Sequence, residues 1–319
     1  MLKIRIPGIL LVLAVMIIAN FLAVVIPYLG TALLSLLLGL IIRQLPFNFD
    51  KFIPGISWSE KYVLEAAVVL MGLGFNFSTL ITAGASTVGI IFISIVVIIL
   101  VVLLLQRVVK GKDKLLWLLG AGSAICGSSA IGATAPLIRA KEEETGAAMA
   151  VINFLGLLGM LVLPVIAVFS GYNALDTGIL LGGILQSVGH VAGASFSVSS
   201  EIGQLAMIVK MGRIIFLIPF LIFIYLLFRK NVDGTVLKFP LFIIFFLAAV
   251  LISQTGIISG ELLKSFTKTG DILLNAAMAA IGLKINIRSL WKISGQALTA
   301  GLVIFILQIV MFTVFLAFN

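Results

Sequence analysis

The sequence predicts an all-α polytopic membrane protein of about ten to eleven transmembrane segments, with inverted repeats and two discontinuous or re-entrant segments rich in glycine and serine. Composition is the first reason. Of the 319 residues, 62% are hydrophobic and only 10% charged, and the mean hydropathy of +1.30 lies far from the soluble average. The second reason is an echo. Gly72-Leu73-Gly74-Phe75-Asn76-Phe77-Ser78-Thr79-Leu80 is answered 210 residues later by Gly282-Leu283-Lys284-Ile285-Asn286-Ile287-Arg288-Ser289-Leu290, the trace an internally duplicated transporter leaves. The third is local: the apolar runs 115–138 and 176–198 hold too many helix-breaking residues for plain lipid-facing helices.

Runs of the roughly 20 residues needed to cross a hydrocarbon core of about 30 Å recur from end to end. Residues 6–27 follow a basic flank, Lys3 and Arg5. That run is too long for the core of a secretory signal and lacks a small-x-small exit, so it reads as a membrane helix. Pro27-Tyr28-Leu29-Gly30 makes a tight, uncharged turn into a short second segment, 30–43. Segments 60–76 and 84–107 flank the first copy of the echo and 271–284 and 293–317 the second, pairing 60–107 with 271–317. Between them lie 115–138, 145–169, 176–198, 204–228 and 239–256. No stretch reads as a soluble domain, so 1–319 is expected to be a single integral membrane transport domain. The single cysteine, Cys126, excludes an internal disulfide and a cysteine-based metal cluster.

Lysine and arginine set the orientation. With a cytoplasmic N-terminus, the inner loops collect Lys3, Arg5, Arg43, Lys51, Lys61, Arg107, Lys110, Lys112, Lys114, Arg229, Lys230, Lys238, Lys284, Arg288 and Lys292, fifteen of the 21. Only Lys264 and Lys268 fall outside, while Arg139, Lys141, Lys210 and Arg213 depend on how segments five and seven run. The net charge of +9 is therefore an orientation signal in short loops, and no nucleic acid is expected as a partner. The C-terminus falls outside. The echoed copies then run antiparallel, as an inverted repeat demands, whether segments five and seven span or re-enter.

Segment five contains Leu119-Gly120-Ala121-Gly122-Ser123-Ala124-Ile125-Cys126-Gly127-Ser128-Ser129-Ala130-Ile131-Gly132-Ala133-Thr134-Ala135-Pro136, with four glycines, four hydroxyl residues and a proline in eighteen positions. Glycine costs about 1 kcal/mol in a helix interior and proline about 3. Irregular backbone at membrane depth survives only where protein or a watery cavity satisfies its amides. Close packing of small residues is the alternative explanation. A break at Cys126, Gly127, Ser128 and Ser129 would begin a half-helix at mid-membrane and aim its free N–H groups at an anion. Segment seven aligns with this run at an offset of 62, setting Leu119, Gly120, Gly127 and Ala130 on Leu181, Gly182, Gly189 and Ala192. No simple duplication gives offsets of both 62 and 210.

Segment seven carries Gln186, His190 and Ser195. His190, the only histidine, is either a hydrogen-bonded packing residue or a substrate contact or proton-coupling group. Lys210 and Arg213, three apart, share one face of segment eight and either face a cavity or snorkel to the interface. Glu65 lies at the inner end of segment three, and Asn76, Asn286, Asn153 and Asn275 are candidates for helix breaks or interhelix hydrogen bonds, the echoed pair foremost. Outside the segment ends no apolar run holds an Asp, and no deep carboxylate pair exists to balance an exchanged cation. The deep polar groups are donors, which suit an anion. No phosphate-loop, zincin or Ser/His/Asp pattern supports a pump or hydrolase; no enzyme activity, cofactor or metal is expected.

Gly122-Ser123-Ala124-Ile125-Cys126-Gly127-Ser128-Ser129-Ala130-Ile131 with Pro136, Gly72-Leu73, and Lys210-Met211-Gly212-Arg213 before Pro219 resemble the signatures of the YeiH-type sulfate exporter family. The resemblance covers essentially the whole chain. It implies an inverted-repeat carrier related to bile-acid symporters and NhaA-type exchangers, with discontinuous helices crossing at mid-membrane. One departure stands out. Where relatives carry His-Glu and then Gln four positions later, this chain has Gln186-Ser187 and then His190, so the acid is missing.

The expected function is secondary active transport of a small anion, sulfate or a related sulfur oxyanion or sulfonate, across the bacterial cytoplasmic membrane by alternating access. Cys126, Gly127, Ser128 and Ser129 would present amides, Gln186, His190 and Ser195 the facing wall, and Lys210 and Arg213 the countercharge. The other reading is a sodium- or proton-coupled symporter or antiporter of the same fold using Glu65, His190 and the Asn pairs. Expected partners are the anion, the lipid bilayer, a coupling proton or sodium ion, and a second copy of the chain in a homodimer.

Overall fold

The computed structural model describes residues 2–25, 30–74, 84–109, 111–228, 241–255, 257–285 and 295–318. Those residues form helices joined by short turns, with no strand among them. Five helices are long and apolar enough to cross a membrane, at Ile4–Val25, Gly84–Val108, Glu142–Phe169, Ser200–Phe228 and Gly295–Phe318. The chain is thus a polytopic helical membrane protein, and it divides into two compact units.

The first unit takes Met1–Thr82, Ala192–Ser200 and Leu241–Ser289. Its helices are α1 (Leu2–Val25), α2 (Thr31–Gln44), α3 (Ile53–Trp58), a π-helical turn at Ser59–Val63, and α4 (Leu64–Gly72), with α13 (Leu241–Gln254) and α14 (Gly260–Lys284) from the C-terminal part. Small residues let these helices touch at their backbones. A Cβ at Gly39 of α2 would fall 2.5 Å from the Ala279 carbonyl oxygen, and one at Gly282 of α14 only 2.1 Å from that of Leu36. Around this contact Val12, Val15, Phe49, Ile56, Ala276, Ala279, Ala280 and Leu283 form an apolar core. Gly72, the other echoed glycine, packs on Phe246 of α13. Lys284 pairs with Glu60 across the ends of α14 and the π-turn.

Two elements differ from the sequence expectation. Residues 53–58 are helical, with Pro54 in the first turn, where its missing N–H costs nothing. Helix α14 begins at Gly260, eleven residues before the expected 271. Its polar first half carries Ser265, Thr267 and Thr269, whose hydroxyls bond back to carbonyls three or four residues earlier. Apolar periodicity finds the buried half of such a helix and misses its solvated extension. The echoed asparagines, Asn76 and Asn286, lie outside the described residues.

The second unit takes Ala83–Val191, Glu201–Pro240 and Leu290–Asn319. It contains α5 (Gly84–Val108), α6 (Asp113–Ala124), α7 (Ser128–Leu137), α8 (Glu142–Phe169), α9 (Ala174–Ile184), the start of α10 (Val188–Val198), α11 (Ser200–Ile215), α12 (Leu217–Phe228) and α15 (Gly295–Phe318). Segments five and seven are each two helices here. Segment five folds back on itself: the Ile131 side chain lies 3.0 Å from where a Cβ at Gly122 would be, whereas a straight helix would part these residues by about 13 Å. The outer ends also meet, because Lys114 Nζ donates to the Arg139 carbonyl at 2.7 Å. Helices α6 and α7 are therefore the arms of a helical hairpin.

Segment seven departs similarly. Gly178 and Gly182 of α9 sit against Leu205 and Ala206–Val209 of α11, a register in which both numbers rise together. Helices α9 and α11 are parallel and start at the same level. Helix α6 packs on α5 and α8, and α15 lies against α6, α8 and α9.

Candidate functional site

The site is built from the ends of helices α6 and α9. The last four carbonyls of a helix have no partner within it, and burial makes each one costly unless another donor arrives. Two are met by the turns: Ile125 N–H donates to the Ala121 carbonyl and Leu185 N–H to that of Leu181. Gly127 N–H reaches back to the Gly122 carbonyl at 2.9 Å, a bond that Gly127 makes from a backbone φ of +67°.

Lys210 and Arg213 of α11, both fully buried, supply the remaining donors. Lys210 Nζ donates to the carbonyls of Ile125 at 2.8 Å, Leu185 at 2.7 Å and Gln186 at 2.6 Å, which uses all three of its hydrogens. Arg213 Nε donates to the Ala124 carbonyl at 3.2 Å. Its Nη1 serves the carbonyls of Gly183 and Leu185, and its Nη2 that of Ser123. Gln308, buried in α15, adds Nε2 to the same Ser123 carbonyl at 3.1 Å. Among the described residues neither cation meets a carboxylate. Their counterpart is the negative end of two helix dipoles.

Helix starts lie beside these ends. Gly127 abuts Gln186 and Ser187, with 3.5 Å between its would-be Cβ and their atoms, so the two turns touch. Ser187 Oγ accepts from His190 N at 3.1 Å and so caps α10. The Cys126 thiol lies beside the Ser129 hydroxyl and the Ala130 amide at the start of α7. Ser128 is half-buried and Ser129 exposed. The His190 ring packs closely against α8 at Gly156, where a Cβ would fall 2.1 Å from its Nδ1.

Several buried polar atoms of this unit have no hydrogen-bond partner among the described residues: both amide atoms of Gln186, His190 Nδ1, Ser123 Oγ, Thr134 Oγ1 and Gln308 Oε1. Buried polar groups are nearly always paired in folded proteins, so this concentration marks the turns as a place with hydrogen bonds to offer.

The second unit brings together Cys126, Gly127, Ser128, Ser129, Gln186, His190, Lys210 and Arg213. Ser195 is buried further along α10, in the stretch grouped with the first unit. Glu65, half-buried in the first turn of α4, also belongs to the first unit. Sequence reasoning missed Ser187, Gly156 and Gln308. A lone amide in the middle of the apolar run Leu302–Phe312 was a signal for Gln308; the acceptor carbonyls of Ile125 and Leu185 have no side-chain signature at all.

Paired helix ends closed by two buried cations, in a chain with five span-length helices among the described residues, define a polytopic membrane protein whose second unit holds a positively charged centre with no carboxylate at it among those residues. The chain belongs to the family described as Conserved hypothetical protein 698, whose model matches residues 7–301. It is 31% identical over 316 residues to a UPF0324 membrane protein of Clostridium perfringens, covering 95% of this chain and 93% of that one. A UPF0324 membrane protein of Streptococcus agalactiae is 30% identical over 312 residues, covering 94% and 93%. One from Streptococcus pyogenes is 32% identical over 312 residues, covering 93% and 92%. No solved structure matches the chain. The relatives' names agree with the membrane placement read from composition and state no substrate.

Proposed function

We propose that the protein is a secondary carrier of a small anion, sulfate or a related sulfur oxyanion or sulfonate, working by alternating access in the bacterial cytoplasmic membrane. The observation that carries this reading is the charge balance at the turns. Two helix C-termini contribute about −0.5 elementary charge each, against the full charges of Lys210 and Arg213. Roughly one positive charge remains, beside the starts of α7 and α10, where amides and dipoles also favour an anion. Because Lys210 has no hydrogen free, it acts on the anion through its field, and direct contacts fall to the α7 and α10 amides, Ser128, Ser129, Gln186 and His190.

A membrane orientation follows from this reading. If α6–α7 is a re-entrant hairpin entering from the cytoplasm, Arg139 and Lys141 join the inner lysines and arginines, as the positive-inside bias favours. Helix α8 then runs outward, the α9–α10 hairpin enters from outside, and α11–α12 returns to the inner residues Arg229 and Lys230. The hairpins thus enter from opposite sides, as in carriers with inverted repeats.

The same arrangement reconciles the two echoes. We infer that α2, α4, α5, the first hairpin and α8 form one copy, and that α13, α14, α15, the second hairpin and α11–α12 form the other. In the second copy the hairpin and α11–α12 have moved ahead of the rest. Such a circular permutation gives both offsets, 210 for α4 with α14 and 62 for the hairpins. Packing supports the pairing: α2 on α14 is matched by α13 on α4, and α5 on α6 by α15 on α9.

The experiment is efflux of radiolabelled sulfate from proteoliposomes holding the full-length protein. The wild type should release label faster than empty vesicles, and Ser128→Ala with Ser129→Ala should slow it at least tenfold while leaving protein incorporation unchanged. Equal efflux from the double variant would remove these residues from the site.

A further inference from the structure

The cage around Lys210 resembles a cation site more than a lysine's usual surroundings. Three carbonyl oxygens, from Ile125, Leu185 and Gln186, lie within 2.6–2.8 Å of Nζ. Carbonyls gathered at broken helices are what cation-coupled carriers use to hold sodium or protons, and rings of carbonyls replace the hydration shell of potassium in channels. In this chain the cation arrives on a side chain. Lys210 is fully buried with no carboxylate partner among the described residues, and without it the Ile125, Leu185 and Gln186 carbonyls would lose the donor it supplies. Arg213, one turn away, cannot reach the Ile125 and Gln186 carbonyls as well; its own donors already hold Ser123, Ala124 and Gly183.

We propose that the Lys210 ammonium is a tethered coupling cation: it sits in a carbonyl site for a free monovalent cation, formed by the ends of α6 and α9, and it frees the protein from a sodium requirement. The transport consequence rests on the carrier reading above, but the site itself does not. A fixed cation also explains how the centre stays positive with no ion bound, so that an anion meets the same field in every cycle.

The test is thermal unfolding of the full-length protein in detergent, in ammonium, potassium, sodium or choline chloride at equal ionic strength. Lys210→Ala leaves the carbonyls and opens room; Lys210→Met fills that room without charge. The Ala variant should melt at least about 5 °C below wild type in choline and recover at least half of that gap in ammonium or potassium, whereas the Met variant recovers none. Wild type should melt alike in sodium and choline. Equal melting of Lys210→Ala in all four salts overturns the proposal. If that variant does not accumulate, the wild type decides: sodium-specific stabilisation overturns the proposal, and indifference to sodium supports it. Melting reports occupancy of the cage and not transport, so the anion-carrier reading can fail in proteoliposomes while this result stands.

Discussion

Arg213 shows how much rests on single side chains in this centre. Lysine in its place would keep the charge but not the planar fork that serves carbonyls on two helices. Arg213→Lys is therefore expected to destabilise by about 2–4 kcal/mol, since each buried carbonyl left unpaired costs about 1–3, read from unfolding in detergent. Gly127→Ala meets no steric obstacle, its nearest neighbours being 3.5 Å away, yet it must hold a φ of +67°. With its ψ of −128° this backbone lies in a region open to little but glycine, and the expected loss is about 1–3 kcal/mol. Gly156→Ala acts differently, because its methyl group and the His190 ring cannot share the same space. It should weaken anion binding as His190→Ala does, and the double variant should be no worse than the single ones, a coupling that only contact between the two residues produces. Of these positions, Gly127 was legible in the sequence beside Cys126 and the two serines. Lys210 and Arg213 were legible as unusual but not as carbonyl partners, because what they bind is backbone. Gly156 was invisible: neither of the two glycines in the run Leu155–Gly159 carries a hint of a histidine 34 residues beyond Gly156.

At the scale of elements, glycine and hydroxyl content pointed to a break near Cys126 and marked 176–198 as discontinuous, without placing the second break near Gln186. It did not reveal that α7 turns back along α6. That fact depends on Gly122 accepting Ile131 and on Lys114 reaching Arg139, pairings between residues too far apart for helical periodicity to register. The expected end of α14 was right and its beginning was not, because a polar helix extension has no apolar stripe. The hairpin reading makes a topological prediction. In a Cys126→Ser background, cysteines placed at Lys112 and Lys141 should both label only from the cytoplasmic side, and those at Tyr172 and Ser199 only from outside. Labelling of the Lys141 position from outside would mean that segment five crosses the membrane, and the inverted, permuted repeat would fall with it.

The molecule as a whole combines a membrane-embedded helical fold with a centre that carries cations and, among the described residues, no acid. Composition and the loop charges made the first part plain from the sequence, since nothing but a bilayer accommodates so many apolar spans. The second part was half-visible: the lack of a deep carboxylate pair in the apolar runs argued against a cation site, while the way the positive charge is held required three dimensions. The central claim is that this charge serves an anion. The most direct measurement is thermal stability of the purified full-length protein against sulfate, sulfite, thiosulfate, taurine, phosphate and chloride, with sodium and a pH series as controls. A ligand at 100 times its dissociation constant adds about 2.7 kcal/mol to the folded state. The account predicts a rise in melting temperature with one sulfur oxyanion or sulfonate that disappears in the Ser128→Ala, Ser129→Ala variant. A response to sodium or to pH alone, with every anion silent, would contradict it and turn attention to Glu65 and His190 as separate candidates.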